Sequence, residues 1–163
     1  HYQCDIFEVI NQGWDLMVAH PPCTFLTGSG IQWLSHPEDK ALPFEERRSH
    51  PKYPNRRNDM LESVEFVKVL YNAPIEHIAI ENPVGIMSKT LKKPDQYVHP
   101  WQFGHEESKK TGLWLHGLPP LRPTKVVKPT QQRIWKMPPG PNRARDRSET
   151  YQGIANAMAE QWG

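Results

Sequence analysis

At 163 residues the chain is long enough to bury one core and too short for two ordinary domains, so residues 1–163 are read as a single unit. Its 20 Lys and Arg against 18 Asp and Glu leave a formal charge of +2, too small by itself to argue for a nucleic-acid partner. Two cysteines, Cys4 and Cys23, make no disulfide framework and suit a reducing compartment. The eight histidines lack paired metal-ligand spacing, and no apolar run reaches the roughly eighteen residues of a membrane span, so neither metal nor membrane is expected.

The first informative element is Trp14 to Thr27, an apolar strand pattern that breaks at Pro21-Pro22 and ends on Cys23. Two prolines lack backbone donors and fix φ, so they end the strand and hold the following thiol in a defined direction. In an open α/β sheet, ligands bind outside the carboxyl ends of the strands, where a nucleophile is useful. His20, just before the prolines, is placed to tune that thiol or to serve a structural hydrogen bond. Gly28-Ser29-Gly30 reads as a flexible loop able to close over a ligand. A basic cluster follows at Arg47, Arg48, Lys52, Arg56 and Arg57, diluted by Glu45 and Glu46.

Leu61, Val64, Val67, Leu70 and Tyr71 recur at helical spacing and predict a crossover helix. After it, Ile78-Ala79-Ile80 predicts a second buried strand, ending on Glu81-Asn82-Pro83. A carboxylate there is costly unless it is hydrogen-bonded or protonated, which suits Glu81 to donate a proton. Leu113-Trp114-Leu115 predicts a later strand, and Tyr151, Ile154, Ala155, Met158 and Trp162 mark a C-terminal helix with one apolar face. Between them, residues 117–147 carry Arg122, Lys125, Lys128, Arg133, Lys136, Arg143, Arg145 and Arg147 against Asp146 alone. Seven prolines in the same stretch predict an extended loop without helix, suited to phosphate contacts that do not read sequence.

Taken in order, Pro22-Cys23, Glu81-Asn82-Pro83 and Tyr151-Gln152-Gly153-Ile154-Ala155-Asn156 resemble the DNA cytosine-5 methyltransferases, in a compact, phage-type form. That family's nucleophile lies in a Pro-Cys motif and its glutamate in a Glu-Asn-Val motif. The resemblance implies an α/β fold with a doubly wound, Rossmann-like methyltransferase sheet. It implies Cys23 and Glu81 as catalytic residues and S-adenosylmethionine as cofactor, met by Asp5 at the end of an earlier strand, by Pro22 and by Asn156. It further implies Thr27, Ser29, Asn82, Lys109 and Thr111 as substrate contacts, DNA as partner, and the cytoplasm of a bacterial or phage-infected cell as location. Residues 117–147 stand where larger members carry a target-recognition domain. The chain departs from the family at Lys109 and Thr111, where arginines are usual, and at Ala155, where glycine is usual. No Gly-x-Gly turn precedes Cys4 and the first residue is His1, so the expectation is a sheet incomplete at its N-terminus, with the cofactor's glycine-rich cradle upstream.

The residue types answer a chemical need. Carbon 5 of cytosine is too weak a nucleophile to take a methyl group directly. A thiolate added at carbon 6 makes carbon 5 enamine-like, and a carboxyl group meets the charge developing at the N3 and amino edge. A base stacked in a duplex is out of reach of such groups and has to be flipped out. Two other readings stay open. One is a DNA-binding relative that has lost catalysis; the other is a different pyrimidine carbon-5 enzyme, since thymidylate synthases also carry a Pro-Pro-Cys nucleophile, though on longer chains without a Glu-Asn-Pro strand.

Overall fold

Four strands form one open mixed sheet in the order β1-β2-β4-β3, with helices against both faces. The computed structural model describes residues 1–163, apart from the side chains of Trp135 and Ala144. In chain order the regular elements are β1 (Leu16–Ala19), α1 (Arg56–Tyr71), β2 (His77–Pro83), α2 (Met87–Thr90), β3 (Gln96–Val98), β4 (Thr111–His116), α3 (Arg133–Lys136), α4 (Arg143–Ser148) and α5 (Gln152–Trp162). The fold is therefore mixed α/β.

β1 and β2 run parallel, Leu16 opposite His77 and Ala19 opposite Ile80, joined by α1 as a crossover. β4 runs antiparallel to β2, with Glu81 opposite Leu113 and Pro83 opposite Thr111. β3 closes the far side antiparallel to β4, Val98 opposite Thr111. One β-α-β unit is thus followed by a reversed strand.

Alternation along β2 sorts the core into two layers. Ile78 and Ile80 face α1, whose Val64, Val67 and Leu70 join them with Trp114 and Leu26. Ala79 faces the other way, against Leu113, Leu115 and the Ile154, Ala157 and Met158 stripe of α5. Both faces of β2 are covered, which is why its sequence reads as a continuous apolar run. α1 carries Asp59 in its first turn and Lys68 in its last, each complementing the helix dipole. Gly117, at φ +66°, turns the chain out of β4, and a Cβ there would overlap the Glu76 carbonyl.

Several expectations change. No strand precedes Asp5, which instead caps the 3-10 turn Ile6–Glu8, its carboxylate accepting from Phe7 N at 2.9 Å. Gly28-Ser29-Gly30 opens a 3-10 helix, Gly28–Trp33, rather than a free loop. It is pinned to the end of β2 by Gly28 N donating to Val84 O at 3.2 Å and Ile86 N to Leu26 O at 2.9 Å. Gly85 allows this approach, since any Cβ would collide with the Leu26 backbone. Leu61, expected on the buried face of α1, is exposed, and Met60 is buried in its stead. Residues 117–147 contain α3 and the start of α4 and are strapped down, with Val127 N donating to Trp101 O at 2.9 Å and Thr130 N to Glu106 O at 2.9 Å. Prolines exclude helix only at their own positions, and the proline-free runs Arg133–Lys136 and Arg143–Ser148 use that freedom. Among the described residues, no helix is long and apolar enough to cross a membrane.

Candidate active site

The carboxyl ends of the parallel strands β1 and β2 lie side by side, and because β4 is reversed, its amino end joins them at the same edge. Three sequence-distant segments converge there: His20 to Cys23 after β1, Glu81-Asn82-Pro83 at the end of β2, and Lys109 to Thr111 entering β4. Glu81 and Asn82 sit within β2 rather than beyond it, so strand pairing fixes their directions. Glu81 shares the α5 side with Ala79, while Asn82 turns to the other face and is fully buried.

Asn82 holds the nucleophile turn. Its amide Nδ2 donates to the Pro21 carbonyl at 3.2 Å, which ties the Pro-Pro-Cys segment to the neighbouring strand. Leu26 N and Thr27 N both donate to the Cys23 carbonyl, at 3.0 and 3.2 Å, closing a tight turn just after the thiol. Cys23 is half-buried and free. Burial pushes its thiol above the ordinary value, the Glu81 carboxylate adds to that rise, and Lys109 and Arg147 oppose it. Burial first and the Glu81 carboxylate second therefore both favour the protonated thiol.

His20 meets the carboxylate rather than the thiol. Its Nδ1 lies 3.3 Å from Glu81 Oε2 and 3.5 Å from Thr150 Oγ1, which links the ends of β1 and β2 to the residues before α5. Lys109 donates from Nζ to the Arg147 carbonyl at 3.0 Å, and Thr111 is buried beneath. A cavity of about 10 Å³ remains among Glu81, Lys109, Thr111, Thr150 and Tyr151, room for a single water. A larger cleft of about 240 Å³ opens beyond it, lined by His105, Arg133, Asp146 and Gln152, with Glu149, Thr150 and Tyr151 as the shared wall. Burial also pushes the Tyr151 hydroxyl up.

The other expected site residues lie elsewhere or do other work. Thr27 and Ser29 pair their hydroxyls at 3.2 Å on the segment after Cys23. Pro22 is exposed, next to the thiol. Asp5 belongs to a turn whose Ile6 and Ile10 pack with α1, whereas Asn156 is exposed on α5, on the opposite face of the sheet, and accepts from Gln152 Nε2 at 2.7 Å. The second basic cluster is mostly spent on its own loop. Arg48 grips Asp39 at 2.6 Å and Glu38 at 3.2 Å, holding the Asp39 carboxyl down at about 2. Arg47 donates to Leu42 O and Lys40 O, and Arg57 to Leu34 O and Ser35 Oγ. Sequence reasoning missed Thr150 and the role of Arg147. Thr150 adjoins the Tyr-Gln-Gly segment, which was the available signal.

Comparison of the chain with protein-family models, curated proteins and solved structures finds no match.

Proposed function

We propose that this chain activates the target base of a DNA cytosine-5 methyltransferase, with Cys23 as nucleophile and Glu81 as the acid. The observation that carries the proposal is the convergence of a proline-oriented thiol and a half-buried carboxylate from the carboxyl ends of two adjacent parallel strands. A β-α-β unit with helices on both faces is compatible with the doubly wound methyltransferase sheet that the motifs imply.

In the proposed reaction Cys23 gives its proton to solvent water, its sulfur bonds to carbon 6 of a flipped-out cytosine, and the C5–C6 π pair shifts through the ring toward N3. Glu81 enters this step protonated and donates a hydrogen bond or its proton at that edge, so it carries no negative charge while the thiolate forms. A neutral Glu81 removes the carboxylate's share of the thiol's rise, and the larger share, from burial, remains. Carbon 5 then accepts an electrophile, and loss of its proton with expulsion of the thiolate restores the aromatic ring. The base needs several times the ~30 Å³ of one water, so Glu149 to Tyr151 must withdraw from the Glu81 cavity for it to enter. Exposed Arg122, Lys125 and Lys128 are available to DNA phosphates.

The methyl donor that the resemblance implies is S-adenosylmethionine, and the residues present do not fit it. Asp5 is engaged in capping its own turn, Asn156 lies across the sheet from it, and neither lines the cavity at Glu81 or the cleft beyond it. The proposal is therefore confined to base activation. The same observation favours a second reading, a DNA-binding relative without catalysis.

An oligonucleotide carrying 2-pyrimidinone in place of cytosine separates the two. That ring lacks the electron-donating amino group, so carbon 6 accepts a thiolate without any methyl donor. Intact-mass analysis should find a one-to-one adduct with the native chain and none with Cys23→Ala. DNA binding without an adduct would leave only the second reading.

A further inference from the structure

Residues 24–57 hold a surface that base activation does not use. Trp33 stands nearly perpendicular to both His50 and Tyr53, with ring centroids at 5.1 and 5.5 Å, and the latter two are tilted by 33° to each other at 5.4 Å. His50 is 5% exposed and accepts from Lys52 N at 3.2 Å, so it is the fixed member. Trp33 and Tyr53 are 38% and 46% exposed. Arg56 lies over both Tyr53 and Phe25, at 5.9 and 5.1 Å from the ring centroids, and donates to the Thr24 carbonyl at 3.0 Å. That bond ties the aromatic group to the residue directly after Cys23.

Exposed aromatic rings held rigid beside a guanidinium are costly to leave in water and suit the π-face of a nucleobase. Exposed Lys52 supplies positive charge for an adjoining phosphate, while Arg56 holds the rings in place. We propose that Trp33 and Tyr53 form a stacking surface for an unpaired base of the DNA strand that carries the target cytosine. This inference rests on the DNA reading above. It assigns the loop after the nucleophile to holding the strand, and the basic stretch at 117–147 to its phosphates.

The test compares binding, by fluorescence anisotropy, of a mixed-sequence single-stranded oligonucleotide and of an abasic strand of equal length. Trp33→Ala and Tyr53→Ala should each weaken binding of the base-bearing strand about 5- to 150-fold, the range for one stacked base. They should leave the abasic strand unaffected, and Trp33→Phe should retain most of the affinity. Equal loss on both strands, or no loss on either, would overturn the stacking surface while leaving the chemistry at Cys23 intact. Failure of the native chain to bind either strand would overturn the DNA reading and this inference with it.

Discussion

Asn82 offers a direct test of how the nucleophile turn is held. Its side chain is 1% exposed, its amide donates to Pro21 O at 3.2 Å, and its Oδ1 has no partner among the described residues. Asn82→Ala removes the only donor that the described residues offer the buried Pro21 carbonyl, and a buried acceptor stripped of its partner costs about 1–3 kcal/mol. For a domain of this size each kcal/mol moves the unfolding midpoint by about 2–4 °C, so a loss near 2 kcal/mol should lower it by about 4–8 °C. Asn82→Asp sets a carboxylate against the same carbonyl in a buried position, where an uncompensated charge costs about 3–5 kcal/mol. It should therefore be the worse of the two at pH 7, and recover toward the alanine variant as acid protonates it. Thermal unfolding followed by circular dichroism reads both. In a Cys4→Ser background, iodoacetamide should also label Cys23 faster in Asn82→Ala, because the turn is loosened. A midpoint within about 1 °C of the native chain for Asn82→Ala, or an aspartate variant no worse than the alanine one, would refute the tether.

The electrostatics of Cys23 carry opposite signs for its neighbours. Glu81→Gln should lower the thiol's pKa and speed alkylation at neutral pH, while Arg147→Ala should raise it and slow the reaction, in pH–rate profiles of the Cys4→Ser protein. At Asp39 the carboxyl is held at about 2 by Arg48, below its unfolded value near 3.9. Its contribution to stability is thus present above about pH 4 and lost as pH falls toward 2, and Asp39→Asn should flatten that part of the acid-unfolding profile. Calorimetric titration of S-adenosylmethionine into the chain should give no saturable heat at about 100 µM; a Kd in the low micromolar range would show that a cofactor site does assemble from these residues.

The sequence made the sheet's working edge readable because the signals there are local. Pro21-Pro22 ends a strand by its own chemistry, and Ile78-Ala79-Ile80 followed by Glu81 marks a buried strand with a polar tip. The 3.6-residue period of Val64, Val67 and Leu70 likewise needs no tertiary knowledge. What stayed hidden depends on partners far apart in the chain. Nothing in His20 foretells that its ring meets Glu81, 61 residues on, rather than the thiol three residues away. The arginines of residues 47–57 look like a DNA grip until Asp39, Leu34 and Thr24 are seen to occupy them. Asp5 resembled a strand end by motif order, yet the preceding residues form no strand and its carboxylate caps a 3-10 turn.

The central claim, that the Cys23 thiolate adds to carbon 6 of cytosine, is tested most directly by hydrogen exchange at carbon 5. Addition makes carbon 5 basic, so in D₂O it takes a deuteron, and reversal of the addition releases a cytosine labelled at that position. DNA incubated with the chain, without any methyl donor, should acquire deuterium at cytosine carbon 5 by mass spectrometry of its nucleosides, with exchange abolished in Cys23→Ala and slowed in Glu81→Gln. Absence of exchange with the native chain, or exchange that survives Cys23→Ala, would contradict the claim.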